Sequence, residues 1–201
     1  MPNVSNVRVY GLDDSIRAAK YPKAVELDGL TAELTKGILA CLNCPTGEGH
    51  DNALNGIIVQ FDLTFSQKAW VELQRYHFMD FVSSCSTMHK LQNMKPRQQC
   101  NRYVDPRAID ILQEKINHYN WLVATNKKPE YNINPDEIKE SRLEMLYNIP
   151  SGFELTAAMT TNYRQLKTIY QQRRNHALPD WQMFCDFCEG LPRFLELTQR
   201  G

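Results

Sequence analysis

The sequence predicts an α+β protein in which helices pack on a small mixed sheet. Three observations carry this. Gly56 to Phe65 places Ile57, Val59, Phe61, Leu63 and Phe65 on alternate positions, the period of a strand with one buried face. Arg107 to Thr125 and Pro135 to Tyr147 read as helices, the first with Ile111, Leu112, Ile116 and Tyr119 inward. Strand-like segments flank runs of helices instead of alternating with them one for one.

Taken in order, Val7-Arg8-Val9-Tyr10 alternates like a short strand. Asp13 to Tyr21 follows as a short helix, with Asp13 or Asp14 as its cap. Leu30 to Leu42 is a second helix, its stripe being Leu30, Leu34, Ile38 and Leu42, and Pro45–Gly49 ends it with turn residues. After the Gly56–Phe65 strand a helix starts at Ser66, carrying Trp70, Leu73 and His77. Phe81 to Leu91, rich in Ser and Thr, reads as irregular. Pro135 suits the first turn of the helix it opens. Phe153 to Met159 is a candidate strand, and Thr161 caps a helix to about Arg174 with Tyr163, Leu166, Ile169 and Tyr170 facing the core. The last helix starts near Pro179-Asp180 and carries Trp181, Phe184, Cys185 and Cys188. The 97–106 and 127–135 stretches read as loops within one domain spanning residues 1–201.

Composition narrows the function classes. Lys and Arg number 23, equal to Asp and Glu, so no global field draws the chain to nucleic acid or an anionic membrane. The aromatics sit at core spacings, not on a stacking platform for single strands. No stretch approaches the roughly 18–20 apolar residues of a membrane span. The start, Met1-Pro2-Asn3-Val4, lacks a basic flank followed by an apolar run, so a cytoplasmic location is expected and the six cysteines are read as thiols. Any anionic ligand must therefore be held by local donors.

Four segments are candidates for chemistry. Cys41-Leu42-Asn43-Cys44 and Cys185-Asp186-Phe187-Cys188 resemble zinc-ligand pairs, but they lie far apart and the second continues the apolar stripe of Trp181 and Phe184, so it reads as core. Gly47-Glu48-Gly49-His50-Asp51-Asn52 is a polar turn that could bring backbone N–H groups to a ligand. Gln74-Arg75-Tyr76-His77, leading to Ser83-Ser84-Cys85-Ser86-Thr87-Met88-His89, gathers donors suited to phosphate or, more plainly, finishes a surface helix and turn. Asn162 to Arg173 puts two polar ends on nearly one helical face at about 100° per residue, as a ligand grip or a solvated basic helix.

In this order the segments resemble the flavin-dependent thymidylate synthase family. That family has a His-x-Ser-Pro-x-Glu-His-type segment before a strand, then Arg-His-Arg followed by a spaced Ser, Arg and Tyr, then Ala-Arg-x-x-Leu-Pro, then an Asn-x-Arg-Ser-Leu helix closing in Leu-Arg. The corresponding segments here are Gly49–Gly56, Arg75-Tyr76-His77-Phe78 continuing to Cys85, Thr87 and Met88, Met145–Pro150, and Asn162–Leu166 ending in Gln172-Arg173. The resemblance implies a homotetramer that binds FAD and dUMP, with NADPH and methylenetetrahydrofolate as co-substrates of a reductive methylation. It implies cofactor contacts from Arg75, His77, Asn162 and Thr168. Nucleotide contacts would come from His50, Asn55, Gln74, Ser84, Cys85, Ser86, Thr87, Arg164 and Arg173. The chain departs from the pattern at Tyr76, His77, Cys85, Thr87, Met88, Leu146 and Asn55. Loss of two nucleotide arginines lowers the expected dUMP affinity by roughly a hundredfold or more. The alternative expectation is a non-catalytic protein that binds or sequesters a nucleotide on the same scaffold.

Overall fold

The structure is a computed structural model and describes residues 3–128 and 130–199. Met1 and Pro2, part of the start read for a leader, and Pro129 in the predicted 127–135 loop, lie outside the described residues. The elements run β1 (Asn3–Tyr10), α1 (Leu12–Ala18), α2 (Lys36–Leu42), β2 (Ile58–Ser66), α3 (Gln67–Leu73), β3 (Asp80–Ser84), α4 (Thr87–Lys90), α5 (Pro96–Gln99), α6 (Pro106–Thr125), α7 (Pro135–Tyr147), β4 (Glu154–Asn162), α8 (Tyr163–Arg173), α9 (Pro179–Glu189) and α10 (Phe194–Thr198). The strands form one sheet in the order β1-β2-β4-β3. The expected α+β class holds, and the sheet is antiparallel where a mixed one was expected. No helix among the described residues is long and apolar enough to cross a membrane.

The chain divides into two compact units. The first comprises Thr64–Val71 and Ser84–Thr156. Its core is Leu91, Leu112, Ile116, Met145 and Phe153, between α6 and α7. Both helices start as the sequence dictates. Asp105 and Asn134 accept hydrogen bonds from Arg107 N and Asp136 N, and a proline follows each cap, where its missing N–H costs nothing. Ile111, expected inward, is exposed. The buried stripe runs Ile109, Leu112, Ile116, and a residue adjacent to Leu112 points about 100° away. The segment expected to be irregular holds β3, whose five residues are all exposed, and α4, so no alternation marked them.

The second unit comprises, among the described residues, 3–63, Glu72–Ser83 and 157–199. β2 buries Val59, Phe61 and Leu63 on alternate positions, as read. Phe61 meets Phe184 and Phe187 of α9 with ring centroids 6.0 and 5.1 Å apart. Trp181, Phe184, Cys185 and Cys188 are fully buried, the core role expected for them. Asn6 sits mid-strand in β1 with φ of 52°, a left-handed break in the pleat, and its amide donates to Asp62.

Several boundaries differ from expectation. The cap of α1 is Gly11 rather than Asp13 or Asp14. Gly11 has φ of 73°, and a Cβ there would lie 2.4 Å from the Gly56 carbonyl oxygen, so the two chain segments meet only because it is glycine. The Leu30–Leu42 helix shrinks to its last two turns, because the Thr35 hydroxyl accepts from Ile38 N and starts the helix there. The predicted helix through His77 stops at Leu73.

A candidate ligand cleft along helix α8

Helix α8 turns Tyr163, Leu166, Lys167 and Ile169 into the core. Its opposite face presents Asn162, Gln165, Thr168 and Gln172, three or four residues apart, to a cleft within the second unit. The cap is Asn162, one residue later than expected: its Oδ1 accepts from Gln165 N at 2.9 Å, which leaves Nδ2 as a donor. Thr161 lies in β4 instead, one residue before its end, and its hydroxyl donates to the Phe78 carbonyl at 2.8 Å.

The cleft has two lobes that share Phe78, Gln165 and Thr168. One, of about 280 Å³, is lined also by Thr46, Gly47, Asp51, Asn55, Asn162 and Arg164. The other, of about 410 Å³, is lined by Arg75, Tyr76, His77, Gln172 and Arg173. The second lobe is within the range of small-molecule sites, which starts at ~300 Å³, and the first lies just below it.

A buried charge cluster floors the first lobe. Lys167 is fully buried and donates to the carbonyls of Leu42 (3.0 Å) and Cys44 (2.6 Å) and to Asp51 Oδ2 (2.7 Å). Asp51, 2% exposed, also receives Arg164 Nε at 2.9 Å. Two cations against one carboxylate leave one net positive charge. Among the described residues the terminal nitrogens of Arg164 make no hydrogen bond, and at the cleft that charge favours an anion.

The second lobe is organised differently. Arg173 donates to the Tyr76 hydroxyl (2.7 Å) and to Glu72 Oε2 (3.1 Å), and its guanidinium lies 4.7 Å from the centroid of the Trp181 ring. Glu72 Oε2 also receives Trp181 Nε1 at 3.0 Å, and His176 Nε2 lies 3.4 Å from it. His176 Nδ1 accepts from Leu178 N, which leaves Nε2 as the protonated nitrogen facing Glu72. The charge of Arg173 is thus met inside the protein. Arg75 and His77 are exposed on the rim, and Arg75 makes no ion pair among the described residues.

Phe78 stands at the waist. It is 69% exposed, lines both lobes and has φ of 61°. A bulky residue in this region carries a cost of roughly 1–2 kcal/mol.

The site residues read from the sequence are therefore partly gathered. Asn55, Asn162, Arg164 and Thr168 line the first lobe, and Arg75, His77, Thr168 and Arg173 the second. His50 and Gln74 are exposed and line neither. Ser84, Cys85, Ser86 and Thr87 belong to the first unit. Sequence reasoning missed Lys167 and Glu72. The signal for Lys167 was present, a lysine on the apolar face of α8 between Leu166 and Ile169. The thiols of the second Cys pair are poor nucleophiles: burial pushes Cys185 up to about 11 and Cys188 well above the usual range.

No protein-family model matches this sequence, and no curated protein matches it. Solved structures do, and two of them are of flavin-dependent thymidylate synthases. Thymidylate Synthase X (ThyX) from Helicobacter pylori with FAD and dUMP shares 17% identity at a TM-score of 0.64, covering 98% of this chain and 96% of that one. A second structure, flavin-dependent thymidylate synthase ThyX from the same organism complexed with FAD and dUMP, shares 15% identity at a TM-score of 0.63, covering 96% of each chain. At these identities the likeness establishes a common fold.

Proposed function

We propose that this chain is a flavin-dependent thymidylate synthase-like protein that binds a nucleotide along α8, with FAD as the first candidate ligand and a dUMP-type pyrimidine nucleotide as the second. The observation that carries the reading is the net positive cluster of Arg164, Asp51 and Lys167 beneath the same helix face that presents Asn162, Gln165 and Thr168. The donor set fits a nucleotide. Arg164 meets phosphate oxygens with paired N–H groups, and the Asn162 amide donates beside it. The Thr168 hydroxyl, which donates back to the Arg164 carbonyl at 3.3 Å, keeps lone pairs for a ligand donor. Arg75 supplies a second cation at the other lobe. When bound, a flavin supplies the redox chemistry, and the residues named hold and orient it.

A second reading, binding without turnover, is favoured by one observation. Arg173, which the family pattern assigns to the nucleotide, is engaged by Glu72, Tyr76 and Trp181. An arginine spent on an internal carboxylate offers little to a ligand phosphate.

The experiment is the visible absorbance spectrum of the purified chain before and after adding FAD, followed by dUMP titration. Bound-flavin bands support the first reading, and NADPH- and methylenetetrahydrofolate-dependent dUMP turnover is then measured. A colourless protein that ignores FAD but binds dUMP supports the second. A protein that binds neither removes both.

A further inference from the structure

We infer that Phe78 is the surface on which the flat ring of the ligand stacks, at the waist between the lobe of Arg164 and the lobe of Arg75. The inference rests on the nucleotide-binding reading above and specifies which wall meets the ring.

Position comes first. Among the described residues, Phe78 is the one aromatic residue shared by the two lobes, and its shared neighbours, Gln165 and Thr168, are polar. A ring laid on Phe78 has hydrogen-bonding side chains at its edges and a cation toward each end. Backbone conformation is the second observation. Glycine would adopt φ of 61° without strain, yet the position carries a bulky side chain. Such a conformation persists only where its surroundings enforce it. Here the Thr161 hydroxyl clamps the Phe78 carbonyl, and the next residue, Met79, is buried. The effect is to turn the phenyl ring out of the core and into the cleft, 69% exposed. Stacking on an aromatic face tolerates many heterocycles, so the ligand class is a flat heteroaromatic ring bearing an anionic group.

The test uses the full chain as wild type, Phe78→Gly, Phe78→Leu and Phe78→Trp, titrated calorimetrically with FAD, dUMP and ribose 5-phosphate, which has the phosphate but no aromatic ring. Phe78→Gly is expected to melt no lower than wild type and to bind FAD or dUMP roughly 5- to 150-fold more weakly, with ribose 5-phosphate unaffected. Phe78→Leu keeps an apolar side chain at the same backbone angle and should lose affinity too, whereas Phe78→Trp should retain it. Variants that bind the ring probes as tightly as wild type overturn the role of Phe78 alone. So does a wild type that binds ribose 5-phosphate as tightly as dUMP. A wild type that binds neither FAD nor dUMP overturns this inference together with the nucleotide reading.

Discussion

Replacing Asp51 by Asn keeps the shape of the side chain and removes its charge. Lys167 Nζ would then retain its two carbonyl acceptors, Leu42 and Cys44, but have no counter-charge in a place with no solvent access. Arg164 Nε would lose its carboxylate as well. The new amide has one oxygen for two cationic donors, and its NH₂ group must face one of them. Breaking a buried pair in this way costs about 3–5 kcal/mol. For a chain of this size each kcal/mol moves the melting temperature by about 2–4 °C, so a fall of roughly 6–20 °C is expected. The check is a double-mutant cycle by urea and thermal unfolding. Lys167→Met removes the buried ammonium, so adding it to Asp51→Asn should recover part of the loss, with a coupling of about 1–3 kcal/mol. An Asp51→Asn chain that loses less than about 1 kcal/mol, or a double variant as unstable as the two single losses added together, would refute the charge-pairing argument.

Two further outcomes follow from the same physics. Glu72→Gln leaves the Arg173 guanidinium, whose side chain is 12% exposed, without its carboxylate and weakens the acceptor of Trp181 Nε1; a loss of about 2–4 kcal/mol in urea unfolding is expected. Raising the pH should destabilise the chain. Burial pushes the thiols of Cys185 and Cys100 from about 9 up to about 11, so both keep their protons in the folded chain after the unfolded chain has lost them. Their contribution is complete below about pH 9 and is lost as pH rises through 11, and Cys185→Ala should flatten the unfolding midpoint across that window.

Residues whose neighbours share a period were legible in the sequence. The β2 alternation, the α6 and α7 segments, the proline that opens α7, and the buried face of α9 all follow from patterns of side chains along one element. β3 was not, because all of its residues are exposed and its Ser83-Ser84 end imitates a loop. α1 and α2 were misjudged at their starts because the outcome turned on a single contact each, the approach of Gly11 to Gly56 and the Thr35 hydroxyl on Ile38 N. The site shows the same division. Asn162, Arg164 and Thr168 are close in sequence and on one face, so their association could be read. The partners that decide what the arginines are free to do, Asp51 and Glu72, lie about 100 residues away in the chain.

The break in β1 at Asn6 bears on how the molecule behaves in concentrated solution. β1 is one of the two outer strands of the sheet, nearly all exposed, with Val4, Val7 and Val9 along it. A flat, apolar outer strand is a template onto which other chains can add and propagate into aggregates. A left-handed residue in the middle interrupts the regular spacing of donors and acceptors that such growth requires, and the amide of Asn6 is tied to Asp62 on the neighbouring strand. Colloidal behaviour is thereby set in part by one asparagine outside the ligand cleft.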